Sequence, residues 1–307
     1  MIDKKRLVYL GAFFIGQEMQ IKPTITQFCH NTWQLDAVVQ LTQQGSDYLY
    51  VVTDTTPFHP ISHIWPDHPA DKGTLDSHSV LDCQVGAVEL ASGELYVGQT
   101  IPVKRDEPGW SFVVVHCLAK ESVELEFGQT VSLSVDKSYQ QSLSRGHSAG
   151  HLSYLALNKV LTEHGYWRKD ADRKDPHGNY DFNSYAQVTS FVTEDKCLDT
   201  YRLGKTLRKR GLNSGDLLEN LAQIETLVNA QLIEWLKLGS DILVECHGNE
   251  LTDSRYWSCD LKEGAIAVIP CGGSHASSLN DYTAIKVKLV QVDASNIEMH
   301  TDVKPTL

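Results

Sequence analysis

The sequence predicts an α+β protein in which an N-terminal β-barrel precedes a domain of helices packed on an antiparallel sheet. Two observations favour this class. Through about residue 140 the apolar positions alternate with a period of two, and beyond it they repeat at about 3.6, as where strands give way to helices. The 307 residues are also long enough for about two domains. We place them at residues 1–140 and 141–307.

Short β-branched runs bounded by Gly, Asp, Pro or Ser predict the strands of the barrel. These runs are Leu35 to Leu41, Tyr48 to Val52, Phe112 to Leu118, and the alternation Val131, Leu133, Val135. The apolar run Leu7 to Gly16 predicts an earlier buried strand rather than a signal peptide, because no small-residue cleavage site follows it. Thr55 to Ser79 holds four prolines and four histidines, so we expect a surface loop or flap.

Two helices and three strands are predicted in the second half. One helix is capped by Ser144 and runs to about His164, with Gly165 as its stop. A second runs from Ser214 to about Leu238 and points one apolar stripe inward, namely Leu217, Leu221, Ile224, Val228, Leu232 and Trp235. The predicted strands are Ile242 to Cys246, Ala265 to Ile269, and the alternation Ile285, Val287, Leu289. Helices covering one face of an antiparallel sheet give the α+β arrangement.

Charge and cysteine usage exclude several classes of protein. A net charge of -12 argues against bulk attraction to nucleic acid or anionic membrane, so any RNA contact needs a local patch. Seven scattered cysteines form no dense framework, which predicts reduced thiols, no disulfide and a cytoplasmic location. No apolar run approaches the roughly 18 residues of a membrane span.

One segment reverses the local charge. Residues 165–212 hold ten basic and seven acidic side chains, a local charge of +3. The densest part, with Lys205, Arg208, Lys209 and Arg210, is a candidate patch for RNA phosphates. The alternative is a solvated helix end.

Two short motifs predict a metal site. His147 and His151 are four residues apart, so both imidazoles lie on one helical face. Cys271 and His275 follow a predicted strand and are separated by two glycines and a serine; the glycines let the backbone turn tightly. Three nitrogens and one sulfur suit tetrahedral Zn²⁺. The alternative is that Cys271 is a small buried apolar residue and His275 a surface residue. The residues leave open whether such a zinc is structural or catalytic, because four protein ligands are typical of a closed site.

Further stretches carry a resemblance to a known family. They are Asp54-Thr-Thr-Pro-Phe58, Gly128 to Asp136, His147 to Leu157, Tyr180-Asp-Phe182, Ile224 to Asn229, and Cys271 to His275. In this order they resemble the editing domain of alanyl-tRNA synthetases and of freestanding alanyl-tRNA editing proteins, a domain shared with threonyl-tRNA synthetases. The resemblance spans about residues 50 to 290.

The resemblance implies a zinc-dependent hydrolase that maintains translation fidelity. It would cleave, without ATP, the ester that joins a wrong amino acid to the 3′-terminal adenosine of tRNA, mostly Ser-tRNA(Ala) and in some members Gly-tRNA(Ala). No aminoacylation module precedes the barrel, so we expect editing in trans. Gly272 and Gly273 would allow close approach to the adenosine or the ester. Their alternative role is that of turn residues.

The chain also departs from the family pattern. A glycine-rich S-G-G-Q is replaced by Ile61 to Pro69, whose histidines, with His59, we interpret as a solvated loop and not a second metal cluster. Trp167 stands near a Gln implicated in substrate recognition, and an insertion, Asp170 to His177, follows it. The amino acid and the tRNA therefore stay open. Two other hypotheses remain: a non-catalytic, zinc-stabilised module that binds RNA or protein, and a zinc hydrolase of a small-molecule ester or amide.

Overall fold

The computed structural model describes residues 21–120 and 124–306 and confirms the α+β prediction. The strand predicted at Leu7 to Gly16 lies outside the described residues. Ten described strands precede the first α-helix: β1 Ile25–Thr26, β2 Gln34–Gln44, β3 Tyr48–Thr53, β4 Thr55–Thr56, β5 Gly73–Leu75, β6 His78–Val80, β7 Asp82–Glu89, β8 Leu95–Val97, β9 Trp110–Ala119 and β10 Thr130–Val135.

The second half alternates helices with strands. Its elements are α1 Lys137–Glu163, α2 Phe182–Ala186, β11 Gln187–Thr193, β12 Lys196–Arg202, α3 Lys205–Arg210, α4 Ser214–Glu219, α5 Leu221–Leu236, β13 Ile242–Cys246, β14 Arg255–Cys259, β15 Ala267–Pro270, β16 Tyr282–Gln291 and β17 Asn296–Pro305. Short 3-10 helices cover Phe28–His30, Gly98–Thr100 and Leu279–Asp281.

The N-terminal half is a curled antiparallel sheet. Its eight strands follow the order β6-β5-β10-β2-β3-β9-β7-β8, and β1 pairs with β4 in parallel beside it. Alternate side chains of the curled sheet meet in one core, where Val39, Val51, Phe58 and Leu133 are fully buried. The four predicted strands that lie in the described part are present: β10 alternates between buried and more exposed side chains, as expected, whereas β9 is buried on both faces from Ser111 to Leu118.

Two smaller antiparallel sheets carry the helices of the second half. One has the order β11-β12-β17-β16 and the other β13-β14-β15. Helices α1 and α5 bury their apolar stripes against these sheets around Ile224, Val228, Trp257 and Val287, all of them without exposed surface. Helix α1 contacts the strands of the first of these sheets and α5, so it lies at the centre of this half.

Helix α1 begins earlier than predicted. Asp136 caps it by accepting a hydrogen bond of 3.0 Å from the Tyr139 amide, and Ser144 lies in the helix interior, where its Oγ donates to the Gln140 carbonyl at 2.7 Å. The start at Ser144 was therefore wrong, because the first two turns are buried mainly through the polar side chains Gln140, Ser142 and Ser144, which give no apolar periodicity. The end is as predicted, since Gly165 takes a φ of 76° just beyond it. Residue 140 lies in this helix, and the two-domain division stays a prediction.

The second predicted helix is two helices. Asn220 has a φ of -109° and a ψ of 18°, which ends α4 and starts α5. The predicted inward stripe is otherwise as expected: Leu217, Ile224, Val228, Leu232 and Trp235 are buried, and Leu221 is half-buried.

The proline-rich segment is partly the expected surface loop, because Ile64 and Trp65 are 64% and 45% exposed, but two of its histidines are not solvated. We call residues 57–72 the flap. His59 and His68 are only 7% and 3% exposed. Asp71 ties the flap down, because its Oδ2 accepts hydrogen bonds from the His59 amide (2.7 Å) and from Nε2 of Gln140 on α1 (2.5 Å). Prolines remove backbone donors that would otherwise need partners in such a buried, irregular segment, so proline content misled the prediction.

Two further expectations concern the whole chain. All seven cysteines carry free thiols. None of the helices in the described part combines the length and the apolar character that crossing a bilayer requires.

Candidate metal centre

Helix α1 supplies the first two candidate ligands. His147 and His151 are one turn apart with ring centroids 4.9 Å from each other. Helix α1 can pack closely against β12 here because Gly146, next to His147 in the chain, has no side chain. A Cβ on Gly146 would lie 2.5 Å from the Lys196 carbonyl oxygen of β12, so only glycine fits. The close packing fixes which way this face of α1 points.

The loop after β15 supplies the other two ligands. Cys271 comes directly after the strand, and its amide donates to the Arg255 carbonyl of β14 at 2.9 Å. Its Sγ lies 3.4 Å from Nε2 of His147. The loop then turns back along α1, where the Ala276 amide donates to Ser148 Oγ at 3.1 Å and places His275 beside the helix.

The four donor atoms fit a transition-metal ion. The ligand atoms of His147, His151, Cys271 and His275 all lie within 4.8 Å of one another. Nε2 of both His151 and His275 is buried without a hydrogen-bond partner, and an unpaired buried nitrogen is costly unless something binds it. Two partners outside the cluster orient the rings. His147 Nδ1 donates to the Ser274 carbonyl at 3.2 Å, and His275 Nδ1 contacts Ser148 Oγ at 3.1 Å.

Burial sets the protonation of these groups. Desolvation lowers the pKa of His151 to about 4, and it lowers the pKa values of His147 and His275 well below the usual range. The imidazoles are therefore neutral near pH 7, as metal ligands must be. Desolvation raises the pKa of the Cys271 thiol to about 12, so this thiol needs a bound cation to ionise at neutral pH.

The two predicted glycines play different roles. A Cβ on Gly273 would lie 2.5 Å from Cε1 and 2.6 Å from Nδ1 of the His147 ring, so this position must be glycine for the ring to sit where it does. A Cβ on Gly272 would meet nothing within 4 Å. Both line the larger cavity described below.

The flap packs directly on the cluster. The His68 ring lies 5.1 Å from the His147 ring, and the His59 ring lies 4.2 Å from that of His68. His68 Nε2 lies 3.2 Å from Ser274 Oγ, which in turn lies 2.9 Å from Ser144 Oγ of α1. Flap, metal loop and α1 thus share one buried hydrogen-bond network.

Two cavities meet at the cluster. The larger, of about 410 Å³, lies on the flap side, and we call it the flap cavity; the other, of about 280 Å³, lies between α1 and β12, and we call it the helix cavity. Five residues line both: Trp65, Asp67, His147, Pro270 and Cys271. Ligand sites in proteins begin at roughly 300 Å³, so a substrate of nucleoside size can be accommodated only if it uses the flap cavity or both.

The remaining predicted site residues lie elsewhere. Trp167 is 8% exposed, packs against Tyr180 at 5.0 Å between ring centroids, and lines neither cavity. The basic residues lie on α3, where Lys205 and Arg208 line a third cavity of about 570 Å³ that we call the basic cavity. Arg210 forms an ion pair with Asp172. Gln187 lines both the basic cavity and the helix cavity, so the two are neighbours.

Several residues of the site escaped the sequence analysis. Asp67 lines both cavities at the cluster, and desolvation raises the pKa of its carboxyl to about 6. Arg255 is 5% exposed, lines the flap cavity and donates from Nη2 to Thr26 Oγ1 at 2.6 Å. Ser148 lies between the two histidines of α1, and the sequence analysis did not single it out as a contact of the His275 ring. A single Asp, Arg or Ser carries no spacing signal, so only the fold could reveal them.

Comparison with known proteins supports a relation to alanyl-tRNA synthetases. No family model matches the chain. A protein named alanine–tRNA ligase from Methanosarcina acetivorans is 28% identical over 228 residues, 69% of this chain and 22% of that protein. One of the same name from Sorangium cellulosum is 26% identical over 212 residues, which are 66% of this chain and 20% of that protein. Alanine–tRNA ligase 1 from Lachnoclostridium phytofermentans is 21% identical over 253 residues, which are 79% of this chain and 23% of that protein. The chain spans about a fifth of the length of these relatives.

Proposed function

We propose that this chain is a zinc-dependent aminoacyl-tRNA deacylase that hydrolyses the ester of Ser- or Gly-tRNA(Ala) supplied in trans. One observation carries the proposal: the ligand atoms of three imidazoles and one thiol lie within 4.8 Å of one another beside two cavities, and Nε2 of His151 and of His275 is buried without a hydrogen-bond partner. The relatives' printed names concern alanine and tRNA, which favours tRNA(Ala) among possible substrates.

The donor set favours zinc. Imidazole and thiolate together select Zn²⁺ over Mg²⁺ or Ca²⁺, which prefer oxygen ligands. His147, His151, Cys271 and His275 would hold it. When bound, it would supply Lewis-acid polarisation of the ester carbonyl or of water, or a fixed template for the substrate's amino group.

The protein's own groups supply proton transfer. Asp67 faces both cavities beside Cys271, and with a pKa of about 6 its carboxyl is mostly ionised at pH 7. Such a carboxylate can take the proton of an attacking water, and a general base works best with a pKa near the operating pH. An aminoacyl ester is already activated, so positioning of water and one base suffice.

The basic helix supplies a route for RNA. Lys205 and Arg208 line the basic cavity, which Gln187 connects to the helix cavity and so to the cluster. We propose that acceptor-end phosphates bind at α3 while the terminal adenosine enters beside the cluster. The net charge of -12 elsewhere limits nonspecific attraction, so binding should be weak and salt-sensitive.

Release of amino acid from mischarged tRNA(Ala) tests the proposal. Purified chain should release Ser or Gly in a zinc-dependent way, and His151→Ala and Asp67→Asn should lose most of the turnover. His247→Ala is the matched control, because its ring is 52% exposed, lies 2.9 Å from the Glu245 carboxylate and lines neither cavity at the cluster. Full turnover by a metal-free His151→Ala/Cys271→Ala variant would overturn the proposal.

A second candidate function follows from the number of ligands. Four protein donors can close a tetrahedral site, which favours a zinc-stabilised module that binds RNA without catalysis. Chelation distinguishes the two, since a structural ion should lower the melting temperature sharply and a catalytic one should mainly abolish turnover. Turnover of small esters but not of aminoacyl-tRNA would instead identify a small-molecule hydrolase.

A further inference from the structure

A second group of soft ligands lies away from the first. Cys29 and His30 belong to the 3-10 helix Phe28–His30, and Cys246 ends β13. Although 217 positions separate the two cysteines in the chain, their Sγ atoms are 3.5 Å apart. With a ring nitrogen of His30, all three ligand atoms lie within 4.8 Å of one another.

The sulfur–sulfur distance favours a shared ion over a covalent bond. A disulfide places the two sulfurs about 2.05 Å apart. Two thiolates on one tetrahedral zinc, each about 2.3 Å from the ion, lie about 3.8 Å from each other. The observed 3.5 Å is close to the second value. Two sulfurs and one imidazole also form a donor set that soft transition metals prefer.

An ion bound here would connect two segments that are distant in the sequence. The segment before Cys29 already pairs with the loop after Cys246, because the Thr26 amide donates to the Asn249 carbonyl at 2.8 Å and the Leu251 amide to the Thr24 carbonyl at 3.1 Å. Leu251 and the residues up to Tyr256 line the flap cavity. An ion at this point would join the N-terminal half to the β13–β14 hairpin and fix one wall of that cavity.

We propose that Cys29, His30 and Cys246 form a second transition-metal site that binds Zn²⁺ through three protein ligands. Within the described residues no further His, Cys or carboxylate joins the group, so the fourth position is left to water or another small ligand. His30 is exposed, which gives a metal ion access from solvent. The site is independent of the four-ligand cluster and of the proposed hydrolysis.

Metal counting on the full chain tests the proposal. Reduced, metal-free protein titrated with Zn²⁺ should bind two equivalents, and Cys29→Ser/Cys246→Ser should bind one. His151→Ala/Cys271→Ala should also bind one, and the combination none. His247→Ala, next to Cys246 in the chain, is the matched control and should bind two. With Co²⁺, the absorption from thiolate ligands should fall most in the variant that lacks Cys29 and Cys246.

A milder variant guards against misfolding of the double mutant. His30→Ala removes an exposed ring, so the fold should survive, and affinity at this site alone should fall at least about tenfold. The proposal is overturned if wild-type protein binds one equivalent and His30→Ala changes nothing. It is also overturned if the two thiols resist metal and instead oxidise to a disulfide, seen as a loss of about 2 Da in mass.

Discussion

Replacement of Gly273 by alanine should weaken zinc binding at the four-ligand cluster without unfolding the protein. The backbone permits the change, because Gly273 is not among the residues of positive φ. The added Cβ would lie 2.5 Å from Cε1 of His147, whereas ordinary contacts begin at 3.4 Å. The ring must therefore retreat by about 0.9 Å, given those two distances. That shift moves a ligand nitrogen by a large fraction of a metal–nitrogen bond of about 2.0 Å.

The expected loss of zinc affinity follows from the contacts that the His147 ring loses when it moves. Moving it stretches the 3.2 Å hydrogen bond from His147 Nδ1 to the Ser274 carbonyl, a contact that contributes about 1 kcal/mol. Disturbed orientation of a ligand typically costs 10- to 100-fold in metal affinity, equal to about 1.4 to 2.8 kcal/mol. We expect Gly273→Ala to fall in this range, with turnover at limiting zinc reduced in proportion.

Competition with a chromophoric zinc chelator measures this effect. Gly272→Ala is the control, since its Cβ would meet nothing within 4 Å and the two glycines are adjacent in the same loop. Circular dichroism should show both variants folded. Equal zinc affinity in Gly273→Ala and wild type would refute the geometry, and an equal loss in both variants would show that the loop needs flexibility rather than space.

Three other variants test separate parts of the structure. Desolvation raises the pKa of the Asp71 carboxyl from 3.8 to about 7, so the folded state binds this proton more tightly than the unfolded chain does. The protonated carboxyl therefore contributes its full stabilisation of the folded state below about pH 4. This contribution, up to about 4 kcal/mol, is lost as the pH rises through 7. In Asp71→Asn this loss should vanish from urea unfolding curves between pH 5 and 8. Ser148→Ala should weaken zinc binding about 10- to 100-fold, because its Oγ contacts one ligand ring at 3.1 Å, whereas Ser153→Ala removes an unpaired buried hydroxyl of the same helix and should not. Arg208→Ala should lower the salt slope of tRNA affinity by about 0.7 to 0.9, while Lys237→Ala, on another helix, leaves it unchanged.

Regular periodicity accounts for what the sequence could predict. Apolar residues repeat with a period of two in the strands of the curled sheet and of about 3.6 in the buried stripe of α5. The positions of these elements therefore followed from the spacing of apolar residues. The start of α1 did not, because Ser142, Ser144 and Ser148 are buried by hydrogen bonding and not by hydrophobicity. The four candidate metal ligands could be named in advance because two short spacings repeat the same chemistry.

Contacts between distant segments could not be predicted in this way. Cys29 and Cys246 carry no spacing pattern, and their approach depends on the pairing of the N-terminal segment with the loop after β13. Asp67 is one of 39 acidic residues, and only the packing of the flap on the cluster distinguishes it. Such residues become visible when the fold supplies their neighbours.

The flap joins the candidate metal cluster to the two cavities beside it. Its His68 packs on His147 and shares a network with Ser274, so the flap and the metal loop are positioned together. The flap residues Trp65 and Asp67 line both cavities but are not among the four candidate ligands. A change of flap sequence therefore alters the shape and charge of the substrate space while leaving the four ligands in place. Under the proposed deacylase function, we therefore expect replacement of Trp65 to change which aminoacyl-tRNA is hydrolysed before it changes zinc content.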